Sequence, residues 1–412
     1  MRDRRGRSVL RVAASAGAQV MASVGSLVLS VVIARNVGAA DYGLFALVFA
    51  TCSIAIGIVR ALTAEVLMFT SSLVSEGEFK ARMSSATSAS LALSICAAIV
   101  VAVVAFAFGD AAHPFILLAL GLPGLIAQDH FRFVFVAAGR AKTALLVDTI
   151  FVLVLLVLLL MQTNGSLSSL IGGWIGATYV TALIGFVMLK PRVSLRGAFE
   201  WMRTEWPAGR YFLGDFLATN ALALGSIFLI GALASVSDAG AVRAAQVLLT
   251  PILLVTRGLT IALSPEAKKL VDRGRYRALV WTSFGFSVVA ASAVGAALLL
   301  VLLLPPEVFE SILGESSAGA LALFPFAALA TGLLALAMGP GLGLRAAGLV
   351  NRAFRSKIIS TPFALTGVVV GTVLGGAAGS QLGLALGELV RGFGNWIELA
   401  RWKKSTQPDE RA

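Results

Sequence analysis

The stretch LLVDTIFVLVLLVLLLM, residues 145–161, decides the class of fold. It carries one ionisable side chain, Asp148, and as a helix it is roughly 25 Å long, close to the hydrocarbon thickness of a bilayer. A helix that is apolar all round over that length is buried in a large core or spans a membrane. Residues 91–108 and 288–304 repeat the pattern, so one chain holds several membrane-length runs.

Composition agrees. Over 412 residues the chain is 58% hydrophobic and 13% charged, against about a quarter charged in soluble domains. Its mean hydropathy is +0.91. These values exclude an ordinary soluble enzyme. The 42 glycines lack a triplet period and the charges are too few for a coiled coil or a disordered chain. Cys52 and Cys96 both lie in apolar runs and read as packing residues.

Apolar runs broken by charges, Gly and Pro give about twelve predicted spans, at 11–35, 42–68, 84–108, 114–138, 143–162, 167–189, 208–233, 240–264, 278–304, 318–344, 356–377 and 381–402. Lys and Arg gather in alternate loops: the N-terminal arginines, Lys80 with Arg82, Arg140 with Lys142, residues 190–210, 268–277, 352–357, and Lys403 with Lys404. The other loops hold Asp41, Asp110, Asp238, Glu307, Glu310 and Glu315. The positive-inside rule then puts both termini in the cytoplasm of a multi-pass protein. The net charge of +12 reflects this asymmetry and attraction to an anionic inner leaflet, so no nucleic-acid partner is needed.

Residues 191–207 form the longest inner connection, with Leu195, Phe199, Met202 and Trp206 at helical spacing opposite Arg196, Glu200 and Arg203. This reads as an amphipathic helix in the inner interface. It divides the chain into a lobe at 1–190, a lobe at 208–402 and a tail at 403–412. At an offset of 197 the chain also matches itself: Asp41-x-Gly43 on Asp238-x-Gly240, Arg60-x-Leu62-Thr63 on Arg257-x-Leu259-Thr260, and Gly77 and Phe79 on Gly274 and Tyr276. The offset covers six spans, which predicts an all-α membrane protein with two six-helix lobes related by a pseudo-two-fold axis along the membrane normal.

Ionisable residues inside spans are costly and mark function by default. They are Arg60, Glu65, Asp129, Arg132, Asp148, Asp215, Arg257, Glu388 and Arg391. Arg60, Arg132 and Arg257 fall at one depth, about 25 to 27 Å from the outer side. Such a layer suits an anionic headgroup such as a diphosphate, because guanidinium forks match phosphate oxygens. The bland alternative is local ion pairing or snorkelling: Asp129 and Arg132, like Glu388 and Arg391, are three residues apart on one helical face. Glu65, Asp129, Asp215, Glu388 and Arg391 are accordingly read as coupling or ion-pair residues. Polar stripes place Gln19, Ser23, Asn220, Gln246, Thr250 and Thr260 along a cavity, or else in helix packing. Gly339, Pro340 and Gly341 predict a kink or unwound turn that serves as a hinge or stands as a static bend. His113 and His130 have no companions at metal-ligand spacing and no phosphate loop is present, so neither metal nor cofactor is expected.

Four stretches carry a family likeness: ARNVGAADYGLFA at 34–46, RALTAEVL at 60–67, QDHFR at 128–132 and GAVRAAQ at 240–246 leading to Pro251. With them the chain resembles the O-antigen and teichoic-acid export branch of the multidrug/oligosaccharidyl-lipid/polysaccharide exporter superfamily. The resemblance implies a MATE-like fold of two six-helix bundles around a central cavity, with alternating access. It also implies a flippase of polysaccharide biosynthesis that moves a polyprenyl-diphosphate-linked oligosaccharide across a bacterial cytoplasmic (inner) membrane towards the cell envelope. Cationic cavity residues receive the diphosphate in such proteins, a role that falls here on Arg60, Arg257 and Arg132. Membrane lipids and glycan polymerase or ligase machinery are the implied partners. The second lobe departs from the pattern, with Gly-Pro-Gly where the first has QDHFR. An ion-coupled drug or metabolite exporter of the same fold is the alternative, which the excess of Arg in the inner half disfavours. A membrane glycan polymerase, the enzymatic alternative, lacks an external loop to hold an acceptor, so a transporter rather than an enzyme is expected.

Overall fold

The computed structural model describes residues 2–70, 75–162 and 165–406, and leaves undescribed the side chains of residues 2–16, 108, 110, 111, 219, 221, 257 and 261. The described chain is helical throughout. In order the helices are α1 (Arg2–Asn36), α2 (Ala39–Leu62), α3 (Ala64–Thr70), α4 (Glu76–Ala105), α5 (Ala112–Ala137), α6 (Ala141–Leu160), α7 (Leu167–Leu189), α8 (Leu195–Phe216), α9 (Leu222–Leu233), α10 (Val236–Asp272), α11 (Tyr276–Leu303), α12 (Pro306–Leu313), α13 (Ser317–Ala346) and α14 (Val350–Thr406).

Among the described residues ten stretches are long and apolar enough to cross a membrane. The twelve expected spans reduce to ten by length because α9 is short and α14 holds two. At Gly375 and Gly376 α14 folds back on itself, with Gly376 at φ 56°, a value that only Gly adopts without strain. The two arms then touch through backbone: Gly367 faces Gly383 and Gly371 faces Gly379, leaving no room for side chains.

Serine caps start several helices. Ser75 and Ser235 accept the N–H of Glu78 and Asp238 at 3.3 and 3.0 Å, satisfying donors that a helix start leaves open. The caps also test the repeat. Gly38 and Ser235 precede α2 and α10 at the expected offset. Gly77 lies inside α4, whereas Gly274 is a left-handed turn before α11, so the match of Gly77 to Gly274 is not structural. α10 runs on to Asp272, whereas at the matching position Ser75 caps α4.

Two expected spans differ in form. The second breaks at Thr63 (φ −128°, ψ −73°), where the Thr63 N–H reaches the Arg60 carbonyl and the Leu62 carbonyl accepts the Trp201 indole N–H at 3.0 Å. The seventh is not a helix beginning near residue 208: α8 runs from Leu195 through Pro207, passes a π-turn at Leu217–Ala221 and resumes as α9.

Contacts divide the chain into two compact units, the first ending at Leu224 and the second beginning at Gly225. In the first, α5 is the central helix, packed on α2, α4, α6 and α7, while α8 lies on α2 and α4. In the second, α13 is central, packed on α10, α11, α12 and α14. Along α8, Ala198, Trp201 and Gly209 are buried against the unit, while Leu195, Phe199 and Trp206 stay exposed.

Candidate ion cluster in the first unit

The site is built on α5 because residues three apart share a helical face, which sets Asp129 beside Arg132. Arg132 Nη2 bonds Asp129 Oδ1. Arg60, in the last turn of α2, engages the same carboxylate in bidentate fashion, Nε to Oδ2 at 2.7 Å and Nη2 to Oδ1 at 2.8 Å. Phe133 completes the arrangement, its ring centroid 5.2 Å from the Arg60 Cζ and 5.4 Å from that of Arg132. Charge pairing and the ring's negative face together offset the loss of water around the guanidinium groups.

Exposure separates the three members. The side chains of Asp129 and Arg132 are 8% and 11% exposed, that of Arg60 29%. Each guanidinium has five N–H donors, so the bonds to Asp129 occupy only part of either one. The cluster therefore holds one carboxylate between two cations, with Arg60 as its most accessible member.

Other carboxylates surround it. Glu65 on α3 is within electrostatic range of Arg60, Asp129 and Asp215. Asp148 on α6 is within range of Arg132 and Asp129, is 1% exposed, and meets Gln128 Nε2 at 3.5 Å. The structure thus brings together Arg60, Glu65, Asp129, Arg132 and Asp215. Carboxylates outnumber the arginines in this neighbourhood of the first unit. Gln128 with Asp148, and Phe133, were missing from the expected site. Asp148 stood out as an intramembrane acid, but nothing in the sequence tied it to α5.

The other expected residues lie elsewhere. Arg257 is on α10 in the second unit, and its side chain is outside the described residues. Glu388 and Arg391 pair at 2.5 Å across one turn of α14. Gln19 is exposed, and Ser23 donates to its carbonyl at 3.1 Å. Thr250 donates to the Gln246 carbonyl at 3.1 Å and Thr260 to that of Thr256 at 2.8 Å. These hydroxyls satisfy themselves on their own helices, so the stripes do not by themselves require an interior partner. Asn220, also exposed, reaches the Phe216 carbonyl at 3.5 Å.

At Gly339, Pro340 and Gly341, where a kink or unwound turn was expected, α13 stays helical and does not unwind. Pro340 cannot donate to the Leu336 carbonyl, and Ser287 Oγ on α11 donates to it instead at 2.9 Å. His130 meets Thr87 Oγ1 at 3.1 Å, and Thr87 donates its own proton to the Met83 carbonyl. His130 Nε2 is therefore the donor in that pair. Among the described residues no group of three His, Cys, Asp or Glu side chains is placed to hold a metal ion.

No protein-family model matches the chain, and no curated protein matches it. Solved structures do. One, the inward-facing conformation of a multidrug resistance MATE family transporter of the MOP superfamily, matches with a TM-score of 0.70 at 12% identity over 94% of this chain and 96% of that one. The lipid II flippase MurJ, in an inward closed conformation, matches with a TM-score of 0.71 at 12% identity over 93% of this chain and 86% of that one. A MOP superfamily transporter from Pyrococcus furiosus, described by the reverse polarity of its binding pocket, gives 0.59 at 14% identity over 97% and 96%. The chain is thus an all-α, multi-pass membrane protein with the MATE-like fold of these transporters and of that flippase.

Proposed function

We propose that the protein is a transporter that flips a lipid-linked oligosaccharide, with a polyprenyl-diphosphate unit of O-antigen, capsule or teichoic type as its substrate. The observation that carries the reading is the pair of arginines held on Asp129 within the membrane-spanning part of the first unit. In the substrate-free protein Asp129 keeps both guanidinium groups oriented and their charge compensated. A diphosphate offers more acceptor oxygens and more negative charge than one carboxylate, and Arg60 is exposed enough to meet it first. The lipid tail stays in the bilayer while the headgroup exchanges sides by alternating access. Arg257 is a second proposed diphosphate ligand. A flippase structure among the fold neighbours supports a substrate of this kind. The protein is placed by this reading in a bacterial inner membrane with both termini cytoplasmic, delivering substrate to glycan polymerase or ligase machinery.

The test is depletion in the native host, measuring the lipid-linked oligosaccharide pool and surface glycan, with rescue by wild type, Arg60→Ala or Arg257→Ala. Accumulation of inner-leaflet intermediate, loss of surface glycan and rescue by wild type alone support flipping. An unchanged pool overturns it.

A second reading, an ion-coupled exporter of drugs or metabolites, is favoured by Glu65, Asp148 and Asp215 around the cluster, since intramembrane carboxylates carry protons and cations. Efflux of small organic cations that depends on a proton or sodium gradient, with no glycan phenotype, would establish it in place of the first.

A further inference from the structure

The inner end of α2 is gripped by α8 on both sides of Arg60. On one side Phe216 occupies the space above Gly57 that any side chain there would need. On the other, Gly209 lies on Leu62, where an added Cβ would come within 3.2 Å of Cδ2, and Trp201 donates to the Leu62 carbonyl. Trp201 is 3% exposed, with the Arg82 guanidinium 5.9 Å from its ring centroid. Arg82 in turn bonds Glu205 Oε1 at 2.7 Å and Thr70 Oγ1 at 2.5 Å, tying α4, α8 and α3 together. The start of α8 is strapped down as well: the N–H groups of Arg192 and Ser194 donate to Ser84 Oγ and Ser88 Oγ, each at 3.1 Å.

This arrangement gives the Leu62 carbonyl two alternative partners. In a continuous helix it would accept the N–H of Val66, four residues on. In the structure it accepts the indole N–H, and the chain is bent at Thr63. The Arg60 carbonyl belongs to the same break, because it accepts the Thr63 N–H at 3.2 Å. Loss of the indole donor leaves a buried carbonyl that rewinding of α2 into α3 would satisfy, and rewinding turns the last turn of α2, with Arg60 on it. The second unit shows the rewound alternative: α10 passes Thr260, the counterpart of Thr63, without a break.

We propose that Trp201 is a positioning residue for Arg60: its indole N–H, on a ring covered by the Arg82 guanidinium that Glu205 holds, keeps the bend that aims Arg60 at Asp129. The inference rests on the reading of Arg60 as a site residue. The linker helix is thereby an adjustable support of the ion cluster, and the chain continues from it into the second unit.

The experiment uses the full-length protein in detergent with 15N-labelled arginine, the Arg60 and Arg132 Nε–H resonances being assigned through Arg60→Gln and Arg132→Gln. In Trp201→Phe, which keeps the ring and removes only the donor, proton exchange at Arg60 Nε should be about tenfold faster, the weight of one net hydrogen bond, while Arg132 is unchanged. Equal exchange in wild type and variant overturns the proposal, and so does equal acceleration at both arginines, which signals general loosening. If Trp201→Phe does not elute as folded protein, Arg82→Gln, which removes the guanidinium over the ring and releases Glu205 and Thr70 while keeping the indole donor, is read by the same criteria. The resonances are recorded without substrate, so a failure of wild type to move lipid-linked oligosaccharide counts against the proposed function while Arg60 exchange still decides the positioning.

Discussion

The two central helices, α5 and α13, end alike and are filled differently. Each closes on a left-handed glycine, Gly139 at φ 72° and Gly348 at φ 76°. In each the glycine N–H bonds three residues back, Gly139 to Val136 at 2.9 Å and Gly348 to Arg345 at 3.1 Å. The next N–H bonds five back, Arg140 to Phe135 and Leu349 to Leu344 at 2.7 and 2.8 Å, the same capping pattern twice. Counting back from these glycines, Arg132 stands where the other helix has Gly341, and Asp129 where it has Met338. One backbone position thus carries charge in the first unit and no side chain in the second, where a Cβ added at Gly341 would meet only ordinary contacts. The helix ends are alike, while the interior of each helix follows what packs on it.

The largest test of this contrast is Asp129→Ala. Removing the shared carboxylate leaves two guanidinium groups facing each other without their hydrogen-bonded partner, with the carboxylates Glu65 and Asp148 in range but bonded to neither, a change expected to cost about 3 to 5 kcal/mol. Thermal unfolding in detergent should show the loss, and it should exceed that of Arg60→Gln, which leaves the Asp129–Arg132 pair intact. Equal effects would mean that Asp129 is not the centre of the cluster. The counterpart change, Met338→Ala, removes no charge and should show only a packing loss.

Much of this was legible in the sequence, and the failures have identifiable causes. Apolar length revealed the spans, and the three-residue spacing revealed Asp129 with Arg132, because both depend on neighbours along one helix. Arg60 was singled out as an intramembrane charge, but its attachment to a residue 69 positions away depends on how α2 packs on α5. The break at Thr63 was invisible for the same reason: its determinant is the Trp201 indole, 139 residues from Leu62. Pro340 shows the same dependence on a neighbouring helix. A lone sequence shows the donor that proline lacks, and not that Ser287 on another helix supplies it.

A smaller effect is expected at Thr87. Thr87 and Ser287 each stand twelfth in their helices, α4 and α11, and each supports the central helix beside it. Thr87→Val leaves the His130 Nε2–H buried without its acceptor, at a cost of about 1 to 3 kcal/mol. The fall in unfolding temperature should exceed that of Ser283→Ala, whose hydroxyl has no hydrogen-bond partner among the described residues. A smaller fall would show that His130 finds another acceptor and that the support is not equivalent in the two units.

The finest test lies where α13 meets α11. An added Cβ at Gly339 would press on both the Ser283 carbonyl and Ser287 Oγ, so Gly339→Ala is overpacked and should lose about 1 to 3 kcal/mol. Gly172→Ala on α7, with nothing within 4 Å of the new carbon, should lose nothing. Ser287→Ala alone removes the bond to Leu336 and should lose about 0.5 to 1.5 kcal/mol. That same change also removes one of the atoms crowding Gly339. The double variant should therefore lose less than the two singles together, because each single acts on a contact they share. Additive losses would mean that the Ser283 carbonyl alone sets the limit at Gly339. In that case the seal at Pro340 and the close approach of α13 to α11 would be separate features of the helix, and Gly343, where an added Cβ would come within 2.8 Å of Ser283 Oγ, would share in the approach.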